Sequence, residues 1–224
     1  DETDTISALI TTRNIAEFGH DAEPVPAADI RARLEQHGTE NAWVVVAPAG
    51  HLAGYAALSR RGTTMIMFVA FVHPDDLRQG IGTTLEHTAV ARARVLATTE
   101  PAERQMILRQ ELSGENLVAR ALVESVGFAH TVTFWILGID LVAPPDAPAW
   151  PVGVTVRTVR DEADLHASYA VHQEAFQDHW GFEPVNFEKW RQRYHIDDYS
   201  RDLIWLAVAG DEVVGVAFGS VVPA

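Results

Sequence analysis

The chain has 224 residues, of which 47% are hydrophobic, and this length suits one large or two small domains. It contains no cysteine, which excludes disulfide bonds and thiolate chemistry and favours a cytoplasmic location. The formal net charge is −14 without a basic stripe, so nucleic acid is not an expected partner. No apolar run approaches the roughly 20 residues of a membrane span, so a membrane is not an expected partner either.

The elements of residues 1–141 follow one another as two helices, three strands, a helix, a strand, a helix and a last strand. The strands and the helices between them are predicted from apolar runs and from helical spacing. Strands that come first in hairpins and then alternate with helices predict an α/β (α+β) fold, with a mixed central sheet flanked by helices. The later predicted elements are a strand at 64–72, a helix from 81, a strand at 105–112, a helix at 115–126 and a strand at 131–140.

The chain also repeats itself in order. Each copy has a Glu-Pro-Val sequence, a helical stretch, an apolar strand with tryptophan at its second position, a turn and a second strand. The matched segments are residues 23–25 and 183–185, 42–47 and 204–209, and 54–59 and 215–220. We therefore expect two domains of the same fold.

The proposed boundary between these domains is the segment 143–153, which is rich in proline and alanine and sustains neither helix nor sheet. The domains are then residues 1–142 and 154–224. The second copy opens with a strand that the first copy lacks, and it stops after its hairpin. We therefore expect a fragment of a longer protein, incomplete at both ends.

A glycine loop joins the strand 64–72 to the following helix. Gly80 and Gly82 let the backbone approach a ligand closely, and the first N–H groups of the helix point towards that ligand. Arg78 adds a positive charge. The sequence therefore predicts an anion site here, and a plain helix start without a ligand is the alternative.

These motifs resemble the GCN5-related N-acetyltransferases. The resemblance covers nearly all of the chain, as one almost complete domain and the front half of a second, and it matches the tandem members of that family. Leu77 departs from the family, because glutamine or arginine is usual at this position. The residues that carry the resemblance are Val72, His73, Pro74, Gly80, Gly82, Asn116, Ala119, Gly127 and Phe128.

The resemblance implies that acetyl-CoA is the co-substrate. Backbone N–H groups of the glycine loop would hold its pyrophosphate, and Asn116 would bind its pantetheine arm, although an asparagine here is equally typical of a helix cap. A strand bulge would open space for that arm near residues 70–72. The implied cofactor-binding residues are Phe71, Val72, Arg78, Gln79, Gly80, Ile81, Gly82, Thr83 and Asn116.

The catalytic groups of the family are less evident in the first domain. The family uses a base, often a glutamate, and a tyrosine that protonates the departing thiolate. Val123 stands at the tyrosine position. Glu111 is the nearest candidate base, with Tyr55 and His73 as alternatives, and a solvated charge at a strand end is the other interpretation of Glu111.

The predicted function is transfer of an acetyl group from acetyl-CoA to the amine of a small molecule. The first domain either binds the cofactor without chemistry, which leaves catalysis to the second, or acts through proximity alone. The alternative is a non-catalytic CoA-binding regulatory or scaffold protein. A nucleotide-phosphate site is disfavoured because the loop lacks the Gly-Lys-Ser/Thr sequence of a Walker loop.

The acceptor side of the second domain is expected between its two helices, at residues 174–182. Glu174 and Asp178 could hold an amine and Trp180 could form a wall, while solvated acids and core aromatics are the alternative. No metal site is predicted, because the histidines of this region lack metal-ligand spacing: His172, His179 and His195.

Overall fold

A computed structural model describes residues 2–19, 24–194, 196–198 and 200–221. Glu23 of the first repeat and the predicted non-ligand His195 lie outside these residues. The chain divides into two compact units, Asp1–Ile136 and Leu137–Ala224.

The first unit is a mixed sheet flanked by helices, which confirms the predicted fold class. Its sheet has the order β1-β2-β3-β4, antiparallel from β1 to β3 and parallel between β3 and β4. Short 3₁₀ turns lie at Thr39–Asn41 and Pro74–Asp76. The elements are α1 Glu2–Phe18, α2 Ala27–His37, β1 Ala42–Val46, β2 Leu52–Arg61, β3 Met65–Val72, α3 Ile81–Thr98, β4 Ile107–Gln110 and α4 Leu117–Ser125.

The two faces of this sheet bury different side chains because successive strand residues point to opposite sides. Ala56 and Leu58 of β2 pack with Leu85 and Ala89 of α3. Tyr55 directly precedes Ala56 in the chain and therefore points to the opposite face, where it packs with side chains of α1 and α2. The sheet is therefore covered by α3 on one face and by the helix pair on the other.

Gly54 sets how closely α3 approaches the sheet. A Cβ atom at this position would lie 2.8 Å from Cγ2 of Ile81 and 3.2 Å from Cδ1 of Leu85. The 2.8 Å contact is shorter than real Cβ atoms show, so a larger residue fits only if the Ile81 side chain or the helix moves. The first turn of α3 is thereby held directly against β2.

The second unit has a three-stranded antiparallel sheet in the order β5-β6-β7. Trp190 is completely buried at the centre of its core. Asp164 ties the first helix to the first strand, because both of its oxygens accept from Arg157, at 2.6 and 2.7 Å. These bonds hold the pKa of the Asp164 carboxyl well below its usual range. The elements are β5 Val154–Thr158, α5 Glu162–Ala175, α6 Phe187–Arg193, β6 Ile204–Ala209 and β7 Glu212–Phe218, with 3₁₀ turns at Ile196–Asp198 and Arg201–Leu203.

The internal repeat is present in the three-dimensional structure. In each unit two helices precede an antiparallel hairpin, β1-β2 in the first and β6-β7 in the second. The register shifts between Val45 and Val46 in one hairpin and between Ala207 and Val208 in the other. These positions coincide when Trp43 is aligned with Trp205, so the two hairpins share the same irregularity.

The repeat extends to hydrogen bonds that fix the chain before the second helix of each unit. Ser7 Oγ donates to the carbonyl of Val25 at 2.5 Å, and Tyr169 Oη donates to the carbonyl of Val185 at 2.8 Å. Ser7 and Tyr169 are 162 residues apart, as the two tryptophans are. Val25 and Val185 are 160 residues apart, because the segment between the hydroxyl and the valine is two residues shorter in the second unit. A serine in the first unit and a tyrosine in the second thus supply the hydroxyl that binds the valine carbonyl.

The N–H groups of the same two valines are bound in an equivalent way. Val25 donates to Thr11 Oγ1 at 3.4 Å, and Val185 donates to Gln173 Oε1 at 3.1 Å. In each unit the acceptor lies one helical turn after the hydroxyl donor. Both polar groups of the valine backbone are therefore satisfied by one face of the preceding helix.

The prediction of a strand at residues 131–140 is wrong. Residues 126–153, all of which the structure describes, contain no helix or strand. Trp135 is 82% exposed and Ile136 is fully exposed. An apolar pattern alone does not make a strand, because the backbone groups also need a neighbouring strand to pair with. Among the described helices, none combines the length and the apolar composition needed to cross a bilayer.

Tyr169→Phe tests the hydrogen bonds of the repeat. The variant keeps the ring contacts with Phe187 and Trp190 but leaves the carbonyl of Val185 without its donor. We expect the free energy of unfolding of the second unit to fall by about 1 kcal/mol. Urea denaturation followed by tryptophan fluorescence measures this. The control is Tyr194→Phe, which removes a hydroxyl elsewhere in the same core, and an equal loss in both variants would contradict the assignment.

Candidate cofactor-binding site

The candidate site begins where β3 and β4 part. The two strands pair only from residues 65–68 to residues 107–110. β3 continues to Val72, and over residues 69–72 its pairing among the described strands is with β2 alone. One edge of β3 is therefore available to an extended ligand, which could pair with it as a strand would.

The bulge expected near residues 70–72 is wrong. The register between β2 and β3 runs without a shift from the pair Gly54 and Val72 to the pair Arg61 and Met65. The opening arises instead because β4 ends at Gln110. A short neighbouring strand exposes the edge of β3 without any distortion of β3 itself.

The glycine loop lies at the end of this exposed edge. Arg78 and Gly80 both have positive φ, 63° and 82°, and Gly80 caps the N-terminus of α3. The N–H of Thr84 donates to the carbonyl of Gly80 at 3.0 Å. The N–H groups of the residues before Thr84 therefore precede the first hydrogen bond of this type in the helix. The loop therefore presents several N–H groups at the positive end of an 18-residue helix.

Gly82 lets α3 and α4 approach each other behind this loop. A Cβ atom at Gly82 would lie 3.1 Å from Cδ2 of Leu122. Gly80, by contrast, has nothing within 4 Å of such an atom. Backbone conformation therefore favours glycine at position 80, whereas a larger residue at position 82 would need the Leu122 side chain to shift by a few tenths of an ångström.

Asn116 is the N-cap of α4, as the alternative interpretation held. Its Oδ1 accepts from the N–H of Ala119 at 3.0 Å, and its Nδ2 donates to Glu17 Oε1 at 2.8 Å. The residue thus links α4 to α1. A contact with a pantetheine arm stays a prediction, and it would compete with the bond to Glu17.

Glu111 follows directly after β4, at the mouth of the opening. Its side chain is 59% exposed, and Oε1 lies 2.8 Å from Arg109 Nη2. Val123 is buried in α4 and carries no group that could donate a proton. The structure therefore brings one carboxylate, already paired with Arg109, to the start of the exposed edge, where β3 and β4 part.

A cavity under Tyr55 was not foreseen from the sequence. It has a volume of about 180 Å³ and lies between the helix pair and the sheet. Burial raises the pKa of the Tyr55 phenol against the opposing charge of Arg33, so the phenol is protonated at neutral pH and cannot act as a base. Because side chains alternate between the two faces of β2, the sequence pattern could have placed Tyr55 on the face that packs against α1 and α2. Among the lining residues are Ile10, Asn14, Ile30, Arg33, Tyr55 and Phe71.

The equivalent region of the second unit is filled by aromatic rings. His172, aligned with Ile10, is buried and stacks on Phe176 with ring centroids 4.5 Å apart. Tyr194 contacts the same imidazole edge-on at 4.7 Å. Burial lowers the pKa of His172, which favours the neutral ring. The structure therefore places His172 in the core of the second unit.

The predicted acceptor residues of the second unit lie on its surface. Glu174 is at the end of α5, and Asp178 and Trp180 follow it before α6 begins. All three are exposed, Trp180 by 40%. The exposure of the two acids agrees with the solvated alternative, and their acceptor role stays a prediction.

The sequence pattern also did not identify Glu86 as a buried carboxyl group, because it lies among the helically spaced residues of α3. It is only 2% exposed, and its Oε1 accepts from Nε2 of Gln110 at 2.9 Å. Burial raises the pKa of the Glu86 carboxyl, and the bond from Gln110 partly opposes this. The last residue of β4 is thus anchored to α3 by a buried carboxyl group.

Glu86→Gln tests the cost of this burial. Since the folded pKa lies above the ordinary value of 4.5, the stability present below that value is lost as the pH rises through the folded pKa. The amide variant lacks this loss. We expect its free energy of unfolding to vary less with pH and to exceed that of the parent protein at about pH 8. Denaturant titrations from about pH 4 to about pH 8 measure this, with the exposed Glu103→Gln as control. Parallel pH profiles of parent and Glu86→Gln would refute the prediction.

The chain has relatives among the mycothiol acetyltransferases. That of Salinispora arenicola is 32% identical over 175 residues, which are 78% of this chain and 53% of the relative. That of Actinosynnema mirum is 26% identical over 219 residues, which are 96% of this chain and 71% of the relative. The chain thus spans about half the length of the first of these relatives. No protein-family model matches the chain.

A solved structure reproduces both units. The crystal structure of a GCN5-related N-acetyltransferase from Sphaerobacter thermophilus matches with a TM-score of 0.80 and 28% identity, over 99% of this chain and 69% of that one. The expected resemblance is therefore confirmed by sequence and by fold. The chain is a member of the GCN5-related N-acetyltransferase superfamily and resembles its mycothiol acetyltransferases.

Proposed function

We propose that this protein transfers the acetyl group of acetyl-CoA to the amine of a small molecule. The observation that carries the proposal is the exposed edge of β3 at residues 69–72, which leads directly to the glycine loop. The edge of β3 could pair with the extended thioester arm, and the glycine loop that follows it could bind the pyrophosphate. The fold and the sequence relatives support the same reaction.

The cofactor is held mainly by backbone groups in this proposal. The N–H groups at the start of α3 bind the pyrophosphate, with Arg78 as a nearby cation. The β3 edge pairs with the pantetheine arm, and Asn116 contacts it from the start of α4. The proposed contacts are Phe71, Val72, Arg78, Gln79, Gly80, Ile81, Gly82, Thr83 and Asn116.

The chemistry is direct attack of the amine on the thioester carbonyl. A carbon–nitrogen bond forms, the carbon–sulfur bond breaks, and the CoA thiolate leaves and takes up a proton. Glu111 accepts the proton of the acceptor ammonium through water, and N–H groups of the β3 edge stabilise the carbonyl oxygen. Since Val123 cannot protonate the thiolate, that proton comes from solvent.

The acceptor is proposed to be a small amine related to mycothiol, because the relatives are named mycothiol acetyltransferases. Glu174, Asp178 and Trp180 form the proposed acceptor surface of the second unit's own site. The cavity under Tyr55, at about 180 Å³, would hold only a small part of such a molecule.

A second candidate function is cofactor binding without catalysis in the first unit. Two observations favour it. Val123 is buried where a proton donor would be needed, and Glu111 is already paired with Arg109. In that case the first unit has a regulatory or scaffold role.

Gly80→Glu tests cofactor binding. The variant places a carboxylate among the N–H groups of the loop, and repulsion between like charges near 4 Å is worth about 4 kcal/mol at an effective dielectric of about 20. We expect affinity for acetyl-CoA to fall by at least about 100-fold in calorimetry. Gly80→Ala is the matched control, because it has the same positive-φ strain without the charge. Unchanged affinity in the glutamate variant would show that the loop is only structural.

Glu111→Gln tests catalysis in the first unit. If Glu111 is the base, kcat/KM for acetyl transfer falls by about 100-fold. Release of CoA thiol with a panel of amines measures the rate. Glu115→Gln, a nearby exposed acid, is the control. A rate equal to that of the parent protein would remove Glu111 as the base and favour the non-catalytic alternative.

A further inference from the structure

Three metal-ligand side chains meet just before the glycine loop, although no metal site was predicted from the sequence. His51 lies in the turn before β2, His73 follows β3 directly, and Asp76 ends the Pro74–Asp76 turn. One nitrogen of each imidazole and a carboxylate oxygen all lie within 4.8 Å of one another.

The distances are close to those that a bound ion requires. His51 Nε2 is 2.6 Å from Asp76 Oδ2, and His73 Nδ1 is 3.8 Å from the same oxygen. Ligand atoms at about 2.05 Å from a tetrahedral Zn²⁺ lie roughly 3.3 Å apart. The present separations lie on either side of this value. His73 Nδ1 also accepts a long hydrogen bond of 3.3 Å from the N–H of Asp75, so an ion would replace this bond as the side chains rotate to form the site.

The backbone holds the three residues in place. His73 N–H donates to Ala53 O at 2.9 Å, which fixes it beside the strand that follows His51. Asp76 N–H donates to His73 O at 3.0 Å, and His51 O accepts from Ala47 N–H at 2.9 Å. A site whose ligands are already positioned loses little conformational entropy when an ion binds.

Burial and charge also suit a cation. Asp76 is only 7% exposed, and its Oδ1 accepts from Nε2 of Gln79 at 3.4 Å, so Oδ2 faces the histidines. The His51 side chain is 46% exposed, which gives an ion access from solvent. Asp75, with Oδ2 3.9 Å from His73 Nδ1 and an 89% exposed side chain, can supply a fourth ligand, or water can.

We propose that His51, His73 and Asp76 bind a divalent transition-metal ion, with Zn²⁺ as the ion of choice. Two imidazoles and one carboxylate are a ligand set that zinc accepts, and they leave one coordination position open. The ion would join the β1–β2 turn to the segment that enters the glycine loop, with Gln79 of that loop linked to the site through Asp76. The argument for this site does not depend on the proposed function.

The test uses the full chain after removal of metal, titrated with Zn²⁺ in a calorimeter and with Co²⁺ in a visible spectrometer. We expect one equivalent to bind, a raised melting temperature, and the intense Co²⁺ absorption of a four-coordinate site. His51→Ala, which alters an exposed turn residue, should weaken Zn²⁺ affinity by at least about tenfold.

His73→Ala and Asp76→Asn provide further variants, and circular dichroism checks that each is folded. His87→Ala is the matched control, since His87 is an exposed histidine of α3 outside the cluster. Affinity lost in the cluster variants but kept in the control supports the site. Equal binding by the parent protein and His51→Ala, or no binding by the parent, overturns it and leaves a hydrogen-bonded His51–Asp76 pair.

Discussion

The length of β4 is the constraint on which the candidate site depends. Because β4 stops at Gln110, β3 has an exposed edge for its last four residues, and that edge points to the N-terminus of α3. A longer β4 would pair with β3 to its end and close the cleft. The buried bond between Gln110 and Glu86 fixes the place where the two strands part. Strand pairing and a buried carboxyl group thus determine the geometry of a site whose proposed binding groups are mostly backbone atoms.

Much of this arrangement could be predicted from the sequence. Apolar runs and helical spacing located α3, β3 and α4, and the matched segments identified the repeat, because these features depend on local patterns. The cleft itself could not be predicted, since the end of β4 depends on pairing between distant residues. Residues 131–140 failed as a strand for the same reason: their pattern fits a strand, but the described part of the structure offers them no partner. The approach of His51 to Asp76 likewise depends on tertiary structure.

The two units show how one framework supports two different interiors. The backbone of Val25 and that of Val185 are held at equivalent points, by hydroxyls of Ser7 and Tyr169. The hairpins carry the same register shift. The region beneath the helix pair nevertheless differs, because the first unit keeps a cavity under Tyr55 and the second fills the corresponding region with rings around His172. Hydrogen-bonded backbone geometry has stayed the same while side-chain volume has changed.

Gly54 has a consequence for how variants of this protein should be interpreted. It faces Ile81 and Leu85 across a gap too narrow for a methyl group, and it pairs with Val72 at the end of the exposed edge. A larger residue there must move the Ile81 side chain or α3 itself, and a shift of α3 would displace the N–H groups that are proposed to bind the pyrophosphate. A substitution on the neighbouring strand would then resemble a binding-site mutation in a ligand assay, although it removes no contact with the ligand.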